Sequence, residues 1–178
     1  EESRYKLDWI SLGPTVNSAR ADIVQVDPFH TGTMYEGFGS GGICKTINNG
    51  VSWSCIFEQQ SAPGIGDMEL APSNSSVMYV GAGENLKKPR NFTLPGTGMY
   101  RSDDAGKTWK HIGLEDSWSI AEIAIHPKDP NTVLVAVLGH LWTKNKNRGL
   151  YRTTDGGKSW EQVLYKNDST GANDIVIS

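Results

Sequence analysis

"GMYRSDDAGKTW", residues 98–109, and "GLYRTTDGGKSW", residues 149–160, carry one twelve-residue pattern, and "GICKTINNGVSW", residues 42–53, is a third copy. The copies begin at Gly42, Gly98 and Gly149, offsets of 56 and 51 residues, so the chain is read first as a repeat protein. Ahead of each copy lies an alternating segment ending in proline, "ADIVQVDP", "GDMELAPS" or "AEIAIHPKDP". A second short run rich in β-branched residues, Met or Tyr follows it, "TMYEGFG", "VMYVGAG" or "VLVAVLG". Each repeat therefore predicts four strands, a, b, c and d, with the repeated pattern covering c and the turn into d. A helical solenoid would show a 3.6-residue apolar period, which is absent.

Repeats of about 40 to 50 residues with four antiparallel strands are propeller blades. The expected fold is all-β, a partial β-propeller. Its blades span 21–57, 65–113 and 120–165. "LDWISLGP", residues 7–14, reads as an orphan d strand, with Trp9 where Trp53, Trp109 and Trp160 stand in the repeats. "ANDIVIS", residues 172–178, reads as the a strand of a next blade. Three blades cannot close a ring, so the reading expects the remaining blades in a longer parent chain, with self-association as the alternative.

The octets "TINNGVSW", "SDDAGKTW" and "TTDGGKSW" fit an Asp-box pattern: Ser or Thr, any residue, Asp, any, Gly, any, Ser or Thr, Trp. Each is expected to be the c-to-d hairpin. The carboxylates of Asp104 and Asp155 accept backbone N–H bonds, Gly50, Gly106 and Gly157 supply a positive φ, and Trp53, Trp109 and Trp160 pack under the turn. Asn48 replaces the acid in the first box and keeps an acceptor. Four acids, Asp22, Asp67, Glu122 and Asp174, recur along the a strands and are expected to bond the backbone of the neighbouring blade.

Composition narrows the partners. The 178 residues carry a net charge of −3 with Lys and Arg scattered, which gives no basic field for nucleic acid or an anionic membrane. Twenty Gly with six Trp and six Tyr suit short strands and tight turns. The longest apolar run, residues 131–142, is too short to cross a bilayer. Position 1 is Glu with no leader-like segment after it, which fits a removed signal peptide or an excerpt; the expected location is secreted, periplasmic or cell-surface. The two cysteines, Cys44 and Cys55, flank one turn. If Thr46 pairs with Trp53 they oppose each other, and either a disulfide or two small buried thiols results.

"GFGSGG", residues 37–42, matches the dinucleotide fingerprint, but a strand rather than a helix follows, so no cofactor is expected. His30, His111, His126 and His140 lack metal-ligand spacing, and no metal is expected. Sequons stand at Asn74, Asn91 and Asn167, each in an expected loop, and matter only in a eukaryotic secretory host.

On its three boxes and its "SLGP", "GAGE" and "RGLYRTTDGGKSW" segments, the chain resembles the sortilin-like (VPS10-type) and BNR/Asp-box propellers, especially large secreted bacterial proteins with a glycosyl hydrolase-like label. That superfamily includes sialidases, xyloglucan-acting glycosidases, peptide-binding sorting receptors and photosystem assembly factors, so the resemblance implies the fold rather than an activity. The xyloglucan-acting members place a catalytic Asp just before the paired glycines that lead into strand c. Gly39 and Ser40 stand there in this chain. A sialidase needs an arginine cluster, and Arg20 is its one candidate near an inner strand; Arg101, Arg148 and Arg152 belong to or adjoin c strands.

In a propeller the b-to-c and d-to-a loops share one face and the Asp-box turns the other, so binding is expected on the loop-rich face. Two b-to-c loops are long: residues 84–97, with Glu84, Lys87, Lys88, Arg90 and Phe92, and residues 140–148, with His140, Trp142, Lys144, Lys146 and Arg148. "EDSW" adds Trp118. Aromatics beside cations suit a glycan or an acidic peptide. The favoured reading is an exported, non-catalytic recognition scaffold binding protein or polysaccharide. The alternative is part of a glycoside hydrolase whose catalytic residues lie mainly outside this segment. An assembly factor is a third reading that no residue supports.

Overall fold

The computed structural model describes residues 20–85 and 93–177. The expected strand at 7–14 with Trp9, and Lys87, Lys88, Arg90, Asn91 and Phe92, lie outside the described residues. Twelve strands form three four-stranded antiparallel sheets in simple order. The first holds β1 (Ala21–Val26), β2 (Met34–Phe38), β3 (Gly42–Thr46) and β4 (Ser54–Cys55). The second holds β5 (Ile65–Leu70), β6 (Met78–Ala82), β7 (Met99–Ser102) and β8 (Lys110–His111), and the third β9 (Ile120–Ile125), β10 (Val133–Val137), β11 (Gly149–Thr153) and β12 (Glu161–Leu164). This is the all-β architecture of propeller blades, one blade per repeat. Residues 172–177 form no ladder; Ala172 N donates to Val137 O at 3.1 Å.

The core is two apolar layers, each between consecutive blades. Tyr35, Ile43, Phe57, Ile65, Met68 and Met78 belong to the first, and Tyr79, Met99, Ile120, Ile123, Val133 and Val135 to the second. Outside these layers the same pattern meets solvent: Val24 and Val26 on β1 are 63% and 62% exposed, and all of β12 is exposed.

Every Asp box folds the same way. The first-position hydroxyls, Thr46, Ser102 and Thr153, accept from the N–H of Gly50, Gly106 and Gly157 at 3.0, 2.9 and 3.0 Å. The third-position oxygen of Asn48, Asp104 and Asp155 accepts from the seventh-position N–H at 2.9, 2.8 and 3.0 Å. Asn48 thus does the work of the acid through Oδ1, and its Nδ2 donates to Ser52 Oγ at 2.9 Å. The fourth position is left-handed as well, at Asn49, Ala105 and Gly156, and its N–H bonds the a-to-b turn of the same blade at Gly32, Ser76 and Asn131.

The boxes also clasp adjoining blades. Trp109 Nε1 donates to Ile56 O at 2.8 Å and Trp160 Nε1 to Ile112 O at 2.6 Å, in each case a carbonyl just past strand d of the preceding blade. A Cβ on Gly106 or Gly157 would sit 2.5 Å from the Cδ1 of the same isoleucine, so the fifth position must be glycine for space as well as for its φ of +86° or +91°. In return, the cation closing strand c reaches the next box. Lys45 Nζ donates to Ala105 O at 3.0 Å, and Arg101 Nη1 to Gly156 O at 3.3 Å and Asn131 Oδ1 at 2.9 Å. Arg152 pairs instead with Glu161 at 2.8 Å.

The recurring acids need one correction. A bulge in each a-to-b ladder puts Asp22 opposite the gap filled by Gly66 and Ala121 in the other blades, so Ile23, and not Asp22, shares the register of Asp67 and Glu122. Asp67 does bond its neighbour, its Oδ2 accepting from Ile123 N at 2.6 Å. Cys44 and Cys55 face each other on β3 and β4 and their sulfurs are joined.

Two predictions follow from these bonds. Trp109→Phe keeps a ring beside Phe57 and removes the bond to Ile56; it should lower the unfolding free energy by roughly 1–3 kcal/mol, seen as an earlier urea midpoint at constant slope. An unchanged midpoint would show that the clasp contributes nothing. Burial pushes the Asp67 carboxyl up to about 6, against about 3.9 in an unfolded chain. The folded chain therefore holds a proton the unfolded chain has lost, and stability falls as pH rises from about 4 through 6. Asp67→Asn should flatten that slope. Asp104 acts oppositely: the hydrogen bond from Thr108 holds it down at about 2, so its contribution is full above about 4 and is lost as pH falls through 2. Urea midpoints measured from pH 2 to 8 separate the two.

Candidate functional site

The loop-rich face is built around blade 2 and its junction with blade 3. Arg20, just ahead of β1, grips Asp22 through Nε at 2.5 Å and Nη2 at 2.7 Å, and the same Nη2 lies 3.1 Å from Glu84 Oε1. One guanidinium thus bridges two carboxylates. Glu84 follows β6, and its side chain is 12% exposed against 42% for Arg20. Its main chain is fixed too: Glu84 N donates to Leu94 O at 3.0 Å, and Ser119 Oγ donates to Glu84 O at 3.2 Å.

Gly39 closes this cluster. A Cβ there would lie 2.6 Å from Asp22 Oδ2 and 2.9 Å from Arg20 Nη2. At Gly39, one of the two positions where the resemblance puts a catalytic Asp, the space for a side chain is filled by the Arg20–Asp22 pair. Asp22 and Glu84 share this one cation.

Further round the face, the d-to-a loop between β8 and β9 brings up Trp118. A short 3-10 turn, Glu115–Ser117, sits between Leu114 at φ +60° and Trp118 at φ +61°. Positive φ at two large residues is strain that the surroundings must hold, and such strain concentrates at sites that position side chains. The Trp118 ring lies 4.6 Å from the His140 ring, tilted by 37°. His140 Nε2 is 2.7 Å from Asp116 Oδ1, and Asn147 Nδ2 donates to Asp116 Oδ2 at 2.6 Å. Asp116 therefore ties the d-to-a loop to the b-to-c loop of blade 3. The buried indole nitrogen of Trp118 has no hydrogen-bond partner among the described residues.

Of the residues singled out in the sequence, Arg20, Glu84, Trp118 and His140 come together along one face, Glu84 and Trp118 joined through Ser119. Trp142 is 65% exposed on the same loop as His140. Arg148 is not a free cation: it donates to Leu138 O, His140 O and Thr143 O and so holds that loop closed. Asp116, Asn147 and Asn85, whose Nδ2 donates to Ala121 O at 3.0 Å, were not singled out. Each is a lone polar residue in a loop, with no repeat to mark it. Asn74 and Asn167 lie in turns that their own side chains cap. Among the described residues no cluster of three His, Cys, Asp or Glu could hold a metal, and no helix is long and apolar enough to cross a membrane.

Known proteins locate the chain. Its fold is similar to that of an ancestral GH74 enzyme, with a TM-score of 0.68 and 22% identity over 95% of this chain and 21% of that one. It is also similar to the GH74 xyloglucanase from Xanthomonas campestris, with a TM-score of 0.57 and 19% identity over 82% of this chain and 21% of that one. The chain thus spans about a fifth of these relatives, and at such identity the likeness is one of fold. No curated protein sequence gives a significant match. The family model described as "Sortilin, neurotensin receptor 3" matches residues 42–171, from the start of β3 to the turn after β12. On that match, which covers most of the described blades, the chain belongs to the Sortilin-Vps10 family.

Proposed function

We propose that this chain is part of an exported recognition scaffold that binds protein or polysaccharide on its loop-rich face without catalysing a reaction. The observation that carries the reading is Gly39, where an Arg20–Asp22–Glu84 ion pair occupies the space a catalytic carboxylate would need. A tryptophan beside a histidine held by a carboxylate offers a flat surface with directed polar atoms, suited to a sugar ring or a peptide side chain. Lys87, Lys88 and Arg90 share the loop that Glu84 begins, and would add positive charge beside it.

The second reading, a segment of a glycoside hydrolase with its catalytic groups on other blades, draws on the likeness of fold to GH74 enzymes. The two readings part in one assay. The protein is applied to a glycan array and incubated with xyloglucan while new reducing ends are counted. Binding should occur, fall about tenfold in His140→Ala with loss of the ring contact, and release no reducing ends. Hydrolysis abolished by Asp22→Asn or Glu84→Gln would overturn the proposal.

A further inference from the structure

The two interfaces between blades follow one plan and differ at one side chain. In the first, Phe57, four residues after the box residue Trp53, is 1% exposed. It stands edge-on to both Tyr100 and Trp109, with ring centroids 5.1 Å away in each case. Four residues after Trp109 comes Gly113. Tyr151 on β11 and Trp160 at the end of the third box repeat Tyr100 and Trp109, but Gly113 brings no ring to them. Its φ of +99° excludes one. Leu114, the next residue, is only half-buried, and Tyr151 is half-buried where Tyr100 is 2% exposed.

A cleft of about 1040 Å³ opens at this place, with Ile112, Leu114, Tyr151 and Trp160 among its lining residues. β8, the outermost strand of its sheet, lines it as well, through Lys110 and His111. An outer strand offers backbone groups on its unladdered side to an extended chain. The first interface also shows what the polar atoms lack. There Ser61 Oγ lies 2.9 Å from the Tyr100 hydroxyl. In the second, Ser117 lines the cleft at 2% exposure, and its hydroxyl has no hydrogen-bond partner among the described residues.

We propose that this cleft docks an extended segment of a partner protein laid beside β8, seating one aromatic side chain between Tyr151 and Trp160 as Phe57 is seated between Tyr100 and Trp109. At the Asp-box end Arg101, Lys110 and Lys158 outnumber Asp103 and Asp155, with Lys110 Nζ 3.5 Å from Asp103, and Glu115 and Asp116 mark the loop-rich end. The segment therefore carries an acidic residue on one side of its aromatic anchor and a basic residue on the other. Asp116 and Asn147, which hold His140 beside Trp118, also line the cleft, so it adjoins the face bearing Glu84 and Trp118 while needing no ligand there.

The test is a resonance-by-resonance titration of the protein with acetyl-Glu-Phe-Lys-amide, its reversed-order isomer, and the corresponding Ala peptides. One Phe peptide should shift the Tyr151 ring and the Ile112 methyls to saturation, and its Ala counterpart should bind about tenfold more weakly. Tyr151→Ala should abolish the shifts. Lys110→Glu, on an exposed rim that cannot affect folding much, should weaken binding while leaving the melting temperature unchanged. Shifts that are absent, or equal for Phe and Ala peptides, would overturn the proposal. So would a neutral oligosaccharide that saturates these resonances when neither peptide does.

Discussion

The indole N–H that an Asp-box tryptophan gives to a carbonyl of the preceding blade is the bond on which the rest of the arrangement turns. A blade of four short strands buries one face only by lying on another blade, and apolar contact between two twisted sheets does not choose a single register. A directed bond does. Trp109 and Trp160 each find a carbonyl three residues past the previous box tryptophan, and glycine at the fifth box position lets the isoleucine there close against the turn. Lys45 and Arg101 add a bond in the opposite sense. The turn is thus at once a hairpin and a fastener, which explains why its sequence is so constrained at positions facing away from the blade that carries it.

Repetition made most of this fold legible in the sequence. Three copies of one octet gave the blade, the strand order and the c-to-d turns, and the flanking cysteines gave a register that the Cys44 to Cys55 pairing matches. What repetition could not show was whatever breaks it. Asp22 matches Asp67 when the a strands are read from their first residues, but it stands six residues ahead of Pro28 where Asp67 stands five ahead of Pro72, and the ladders follow the count from proline. The inter-blade role of Lys45 and Arg101 was hidden because a cation near a turn looks like surface charge until its partner across the interface is known. Asp116 and Asn147 were silent for the opposite reason: they occur once.

The loop-rich face turns on the space that position 39 leaves open. With glycine at position 39, the space above the start of strand c goes to the Arg20 guanidinium from just ahead of β1, which pairs with two acids. The strained d-to-a loop sets Trp118, at φ +61°, beside the His140 ring on the same face.

The disulfide encloses the first Asp box in a covalent ring, with a sequence separation of 11 between its cysteines. Ile47 and Val51, 71% and 84% exposed at the tip of that ring, offer a protease its easiest approach to the blade. A cut between the cysteines leaves both halves tethered, so the nicked protein gains one water in mass yet migrates as a single chain until reductant is added. Limited digestion of this blade thus registers only on reducing gels, and an intact band under oxidising conditions says nothing about the continuity of its backbone.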